Sequence, residues 1–225
     1  MIKKLIKKPA MRLLLLLVCC FQIGSSWAEG HPTDLREDDI AHEPANLQNG
    51  IQVAMNLCTL CHDLKYVKYH DLLEIGLSAK EVDKIRGANS ASDPILSKMN
   101  DKQMNALFGM TTPDLSLMAK ARGDGAQYIY SLLLAYHERR DGAIVNNLYP
   151  DIKMPDVLAY SIENDERARS AIEQNARDIA AFLAWTADPK AKERRTLGVY
   201  VMLYLFVLTF MLYRLKQKTW SRLKT

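Results

Sequence analysis

The stretch Cys58-Thr59-Leu60-Cys61-His62 constrains the fold more than any other, because it sets two thiols one helical turn apart with an imidazole directly after them. A cysteine pair at this spacing closes a redox disulfide, holds half of a zinc site, or carries a covalently attached haem. The compartment, the other cysteines and a distant methionine have to choose among the three.

The compartment is written in residues 1–28. "MIKKLIKKPAMR" is basic, "LLLLLVCCF" is apolar but too short to span a bilayer, and Ser26 and Ala28 occupy the small-residue positions that a signal peptidase reads. The expectation is a signal peptide cleaved after Ala28. An uncleaved anchor is the alternative; a lipoprotein through Cys19 or Cys20 is weaker, since "LLVC" lacks small residues before the cysteine. Cleavage removes two of the four cysteines and leaves Cys58 and Cys61 as the exported pair.

From Leu197, "LGVYVMLYLFVLTFMLY" runs without a charge over residues 197–213, roughly 26 Å of helix at about 1.5 Å per residue, close to a hydrocarbon core. Tyr200, Tyr204, Tyr213 and Trp220 lie near its ends, as interfacial aromatics do. A buried core helix is the alternative, disfavoured by the basic tail over 214–225. Basic residues crowd both flanks, so an exported body over 29–196 with the tail inside, in a bacterial inner membrane, rests on the signal as well as on charge.

The formal net charge of +4 misleads. All twenty-six acids lie within 29–196 beside twenty basic residues, so the exported body carries about −6, while the signal and the tail each hold five basic residues. An acidic working domain excludes the electrostatic signature of a nucleic-acid binder.

The body is long enough for one core. An acidic lead-in with Pro32 and Pro44 reads as extended, and helix is expected from Ala45 to Cys61. Ser78 and Glu81 form a capping-box pattern ahead of "AKEVDKI". "PDLSLMAKAR" and "AQYIYSLLLAYHERR" read as helices broken at "GDG", and "DGAIVNNLYPDIKMPDVL" as a long irregular segment. Ile172, Ile179, Phe182 and Leu183 recur at helical spacing in a last helix with an acidic start. No run of alternating strands is evident, so the class is mainly α.

A redox pair wants a βαβ setting, and tetrahedral zinc wants a second ligand pair; neither is in the sequence. His62 favours haem c, with each thiol adding to a vinyl group and the imidazole lying under the iron. For the sixth ligand the candidates are His31, His42, His70 and His137, or Met55, Met99, Met104, Met110, Met118 and Met154. Met154 sits in a long loop between Pro150 and Pro155. His137, read as ending a charged helix, is its rival, and composition leaves the two open.

The segments "CTLCHDLKYVKYHDL", "PDLSLMAKARGDGAQYIYSLLLAY", "NNLYPDIKMPDVL" and "DIAAFLAWTADPKAKERRTLGVYVMLYLFVLTFMLYRLKQKTW" follow one another in the order found in cytochrome c1, and the chain resembles that family over nearly all of its mature length. The resemblance implies a class I cytochrome c-like domain with one haem c bound by Cys58 and Cys61, axial ligands His62 and Met154, and one C-terminal transmembrane helix. It also implies Arg122 at a haem propionate with Tyr128 beside it; alone, these residues read equally as a solvated helix end and a core aromatic. Two stretches depart from the family's pattern: Met154 is followed by one proline and then Asp156 and Val157, and Pro113 stands alone before "DLS".

The resemblance further implies a non-catalytic electron-transfer subunit of the ubiquinol–cytochrome c reductase (bc1) complex, a dimeric assembly with cytochrome b and a Rieske iron–sulfur protein, passing electrons to a cytochrome c. A free-standing tethered cytochrome feeding a terminal oxidase is the nearest alternative, and a haem peroxidase a more distant one. Asp151 and Asp156, flanking Met154, are candidate steering acids for a basic acceptor.

Overall fold

The computed structural model describes residues 35, 36 and 38–221; the expected signal peptide, His31, Pro32 and Glu37 lie outside the described residues, as does the tail beyond Ser221. The chain is mainly helical. Pro44 opens helix α1 (Pro44–Asn56) at its first turn, where the missing N–H costs nothing, and a 3-10 turn at Cys58–Leu60 follows. Strand β1 (Leu64–Lys68), a 3-10 segment (Tyr69–Ile75), α2 (Ala79–Arg86), β2 (Pro94–Ile95) and α3 (Asp101–Phe108) come next. Then follow α4 (Met118–Ala121), α5 (Ala126–Leu134), a hairpin of β3 (Tyr136–Glu138) and β4 (Ile144–Asn146), α6 (Glu166–Ala187) and α7 (Ala191–Ser221).

Local signals account for most boundaries. Ser78 and Glu81 cap α2 reciprocally, Ser78 N–H donating to Glu81 at 2.7 Å, and Asn100 with Gln103 repeats the device on α3. Asp165 accepts from Ala168 N–H at 2.9 Å and opens α6. Gly125, at φ +57°, breaks the chain between α4 and α5 where "GDG" stands.

Three expectations need correction. Residues 136–140 are not the end of a helix, and the segment after them is not wholly irregular. Tyr136 pairs with Asn146, His137 with Val145 and Glu138 with Ile144 across an antiparallel ladder. Asp141-Gly142 supplies its turn, with Gly142 at φ +81°. Likewise "PDLS" is loop and only Met118–Ala121 is helical: Leu115 N–H is taken by Asp63 O, Ser116 N–H by the Asp114 carboxylate, and Ser116 Oγ accepts from Tyr66 N–H.

The core lies where α1, α5 and α6 meet. Leu47, Ile51 and Ala54 pack with Ile129, Leu133, Ile179, Ala180, Phe182 and Leu183, all buried. Gly50 is required where α1 crosses α6: a Cβ there would stand 2.2 Å from the Asp178 carbonyl oxygen and 2.7 Å from Phe182 Cβ. Ile172, expected on the same face, is only partly buried at the core's edge.

The acidic lead-in is not merely solvated. Arg36 N–H donates to Ser131 Oγ at 2.9 Å, and its guanidinium reaches Glu173 and the Tyr160 hydroxyl. Asp38 pairs with Arg177 on α6 at 2.5 Å. Burial acts to raise the Asp38 pKa, but hydrogen bonds with Arg177 and Tyr130 outweigh it and hold the carboxyl below its ordinary range. The stability from this pair is therefore present above the unfolded value near pH 4 and lost as pH falls through the folded one. Asp38→Asn is expected to lower stability by about 1 kcal/mol at pH 7, with the gap closing below about pH 4 in thermal melts.

Helix α7 has thirty-one residues, about 46 Å, and none of them is buried. It is long and apolar enough to cross a bilayer, and it is not a core helix. The helix takes in Lys192, Arg194 and Arg195 on one side and Arg214, Lys216 and Lys218 on the other, so it extends beyond the charge-free run of 197–213 in each direction.

Candidate haem site

The Cys58 carbonyl accepts from Cys61 N–H at 3.1 Å and from His62 N–H at 2.8 Å, which turns both thiols and the imidazole out of one short 3-10 element. Two segments brace this turn. On one side Lys98 N–H bonds Thr59 O at 2.8 Å, Met99 N–H bonds Leu60 O at 3.2 Å, and Ser97 N–H bonds the Asp63 carboxylate at 2.7 Å. On the other, Thr112 Oγ1 donates to Cys61 O, Leu115 N–H to Asp63 O, and Lys65 N–H to the Asp114 carboxylate. Ser116, fully buried, accepts from Tyr66 N–H, and its own carbonyl accepts from Thr186 of α6.

His62 Nδ1 lies 2.8 Å from the Pro113 carbonyl. A carbonyl only accepts, so Nδ1 carries the proton and Nε2 keeps its lone pair for a metal. Burial lowers the His62 pKa, against the opposing pull of the Pro113 carbonyl and of Asp63 and Asp114, so the ring stays neutral at pH 7, as ligation needs. Pro113, which stands alone before "DLS", is thus the residue that holds the imidazole.

Burial pushes the Cys58 thiol up to about 11. A thiol held protonated is the opposite of the activated thiolate that a redox pair uses. Among the described residues no three His, Cys, Asp or Glu side chains group as a metal site, so the pair has no partners for tetrahedral zinc. The donor set fits haem c: two un-bridged thiols, a neutral imidazole with a free Nε2, and a thioether on a separate loop.

Met154 and Cys58 pack against the same core cluster. The Met154 carbonyl accepts from the Tyr136 hydroxyl at 2.8 Å. Burial, then the charge of Asp156, raise the pKa of that hydroxyl well above the usual phenol range, with Asn146 opposing, so it remains a donor. Since strand neighbours point to opposite faces, Tyr136 aimed at Met154 places the His137 ring on the other side of the hairpin. His70 is spent locally, with Nδ1 at 2.9 Å from Ala91 O and Nε2 at 3.1 Å from Asp71. Met104 is core, and Met99 Sδ rests 3.9 Å from Cys61 Sγ.

Arg122 and Tyr128 are brought together, the guanidinium 5.5 Å from the ring centroid. Gln127, between them in sequence order, has a buried Nε2 with no hydrogen-bond partner among the described residues. Asp156 departs from its expected role: Oδ2 accepts from Ser161 N–H at 2.7 Å and Oδ1 is buried, so it closes a turn instead of facing an acceptor. Asp151 remains exposed. Sequence reasoning missed Thr112, Asp63, Asp114 and Tyr136, whose partners lie far off in the chain.

A mainly helical domain with this braced Cys-x-x-Cys-His turn and one long apolar C-terminal helix defines a tethered relative of the class I c-type cytochromes. The family model described as the Cytochrome C1 family matches residues 39–106 and again 86–223. The chain is 33% identical to cytochrome c1 of Rhodospirillum rubrum, covering 81% of this chain and 84% of that protein. It is 29% identical to the mitochondrial heme protein cytochrome c1-2 of Solanum tuberosum, over 82% of each chain. A 26% identity covers 78% of this chain and 33% of a cytochrome b/c1 of Bradyrhizobium diazoefficiens. The chain belongs to the cytochrome c1 family, the electron-transport haem subunits of the bc1 complex.

Proposed function

We propose that this chain carries one covalently attached haem c, accepts electrons from a Rieske iron–sulfur protein and passes them to a cytochrome c, as a non-catalytic subunit of a dimeric quinol–cytochrome c reductase. Bound haem supplies a one-electron iron couple. Cys58 and Cys61 would anchor the ring, and His62, its Nδ1 held by the Pro113 carbonyl, would offer Nε2 to the iron. Met154 would offer a soft thioether from the loop braced by Tyr136, and Arg122, stacked near Tyr128, would neutralise a propionate. Two side-chain ligands leave no open position, which suits electron transfer and not oxygen chemistry. The held imidazole, in a chain matching the family from residue 39 to residue 223, is the observation that carries this reading.

The orientation belongs to the same proposal: residues 1–28 are removed, residues 29–196 face the periplasm, residues 197–213 cross the inner membrane and the basic tail stays inside. The Bradyrhizobium relative, named cytochrome b/c1, sets b and c1 together and supports cytochrome b as a partner. A chain exported normally but stopped after Arg195 is expected to be a soluble haem protein beginning at Glu29. Its retention in carbonate-washed membranes would require a second anchor.

Affinity purification of the full chain in mild detergent tests the assembly. Co-recovery of a b-type haem and a Rieske cluster is expected. Recovery with a terminal oxidase and no b-type cytochrome would overturn the bc1 assignment.

A further inference from the structure

The geometry points to Tyr136 as a positioning residue for the Met154 ligand, acting through the hydrogen bond from its hydroxyl to the Met154 carbonyl. The inference rests on the reading of Met154 as the sixth ligand. Tyr136 is 5% exposed and sits on the β3–β4 hairpin. A phenol that deeply buried has to find an acceptor, and the one it has is the Met154 carbonyl, 2.8 Å away.

The hairpin is itself fixed to the helical core. Asn146, opposite Tyr136 in the ladder and 1% exposed, donates to Leu132 O at the end of α5 at 2.9 Å. Its Oδ1 accepts from Leu148 N–H and Tyr149 N–H, both at 3.0 Å, and so starts the ligand loop at a fixed point. On the far side, Asp156 closes a turn onto Ala159 and Ser161, with Ala159 at φ +56°. Between these anchors Pro155 has no N–H to give, and the bond from Tyr136 is the one hydrogen bond that the Met154 backbone makes among the described residues. Without it the loop between Pro150 and Pro155 keeps its ends and loses its middle support. The thioether is then free to leave its place while the rest of the domain stays folded.

Tyr136→Phe keeps the ring and removes only the donor. In the full-length, membrane-bound haem protein it is expected to raise the fraction of reduced protein that binds carbon monoxide on the order of tenfold, and to lower the midpoint potential. Haem content and helical circular dichroism are expected to stay at parent values. Met154→Leu is measured beside it as the fully opened reference. A parent-like spectrum in Met154→Leu would refute the ligand reading itself. If that variant opens but Tyr136→Phe keeps parent carbon monoxide binding and potential, the positioning role is wrong while the ligand stands. A lowered melting temperature alone in Tyr136→Phe would likewise assign Tyr136 to folding only.

Discussion

Replacing Met154 with leucine is expected to leave the haem attached while opening its sixth position. On the proposed reading the haem is attached through Cys58 and Cys61, which sit on a turn braced by Ser97 to Met99 and by Thr112 to Leu115, far from the Met154 loop in sequence. Leucine has nearly the volume of methionine and no charge, so the core contact that Met154 makes is kept. What goes is the soft sulfur that favours the reduced iron. The midpoint potential should fall by on the order of 0.2 V, a fraction of the roughly 0.8 V that axial ligation spans. The reduced protein should bind carbon monoxide almost fully, where the parent, its sixth position filled, should bind little. Redox titration and carbon monoxide difference spectra read both effects, and an unchanged low-spin spectrum would transfer the ligand to His137 or another side chain.

Among the described glycines, Gly50 is the one where an added methyl is expected to damage the core most. Alanine should gain about 1 kcal/mol of helix propensity over glycine. Against that, the new Cβ meets the Asp178 carbonyl oxygen at 2.2 Å and Phe182 Cβ at 2.7 Å. Backbone cannot rotate away as a side-chain tip can, so α1 and α6 have to separate and surrender the packing of Ile51 and Phe182, both fully buried. Overpacking of this kind costs roughly 3 kcal/mol or more, and the clash wins. A net loss of about 2 kcal/mol corresponds to a melting temperature lower by roughly 5 °C for a domain of this size. The yield of haem-loaded protein should fall with it, since α1 leads straight into the cysteine turn.

Features that depend on neighbours in sequence were legible before the fold. The Ser78–Glu81 box, the Gly125 break and the acidic start of α6 act within three or four residues, and each stands where the sequence placed it. The Cys58 to His62 turn was equally legible, because its chemistry is fixed by spacing. The β3–β4 hairpin was not, since "AYHERR" holds good helix formers and only the Asp141-Gly142 turn with Ile144 and Val145 beyond it argued for strands. Pro113, Tyr136 and Asp38 were missed for one common reason. Their partners His62, Met154 and Arg177 lie 51, 18 and 139 residues away, and no local pattern encodes a contact made only when the chain has closed. Asp156 shows the converse error: an acid beside the ligand looked like surface charge, and its carboxylate is consumed in a turn.

The central claim is that this chain relays electrons from a Rieske protein, and single-turnover reduction in isolated membranes tests it most directly. On adding quinol, its c-type haem is expected to be reduced in step with oxidation of the iron–sulfur cluster. In membranes from a strain lacking the Rieske subunit but retaining this chain, that reduction should disappear. Reduction at the parent rate without the Rieske protein would contradict the account.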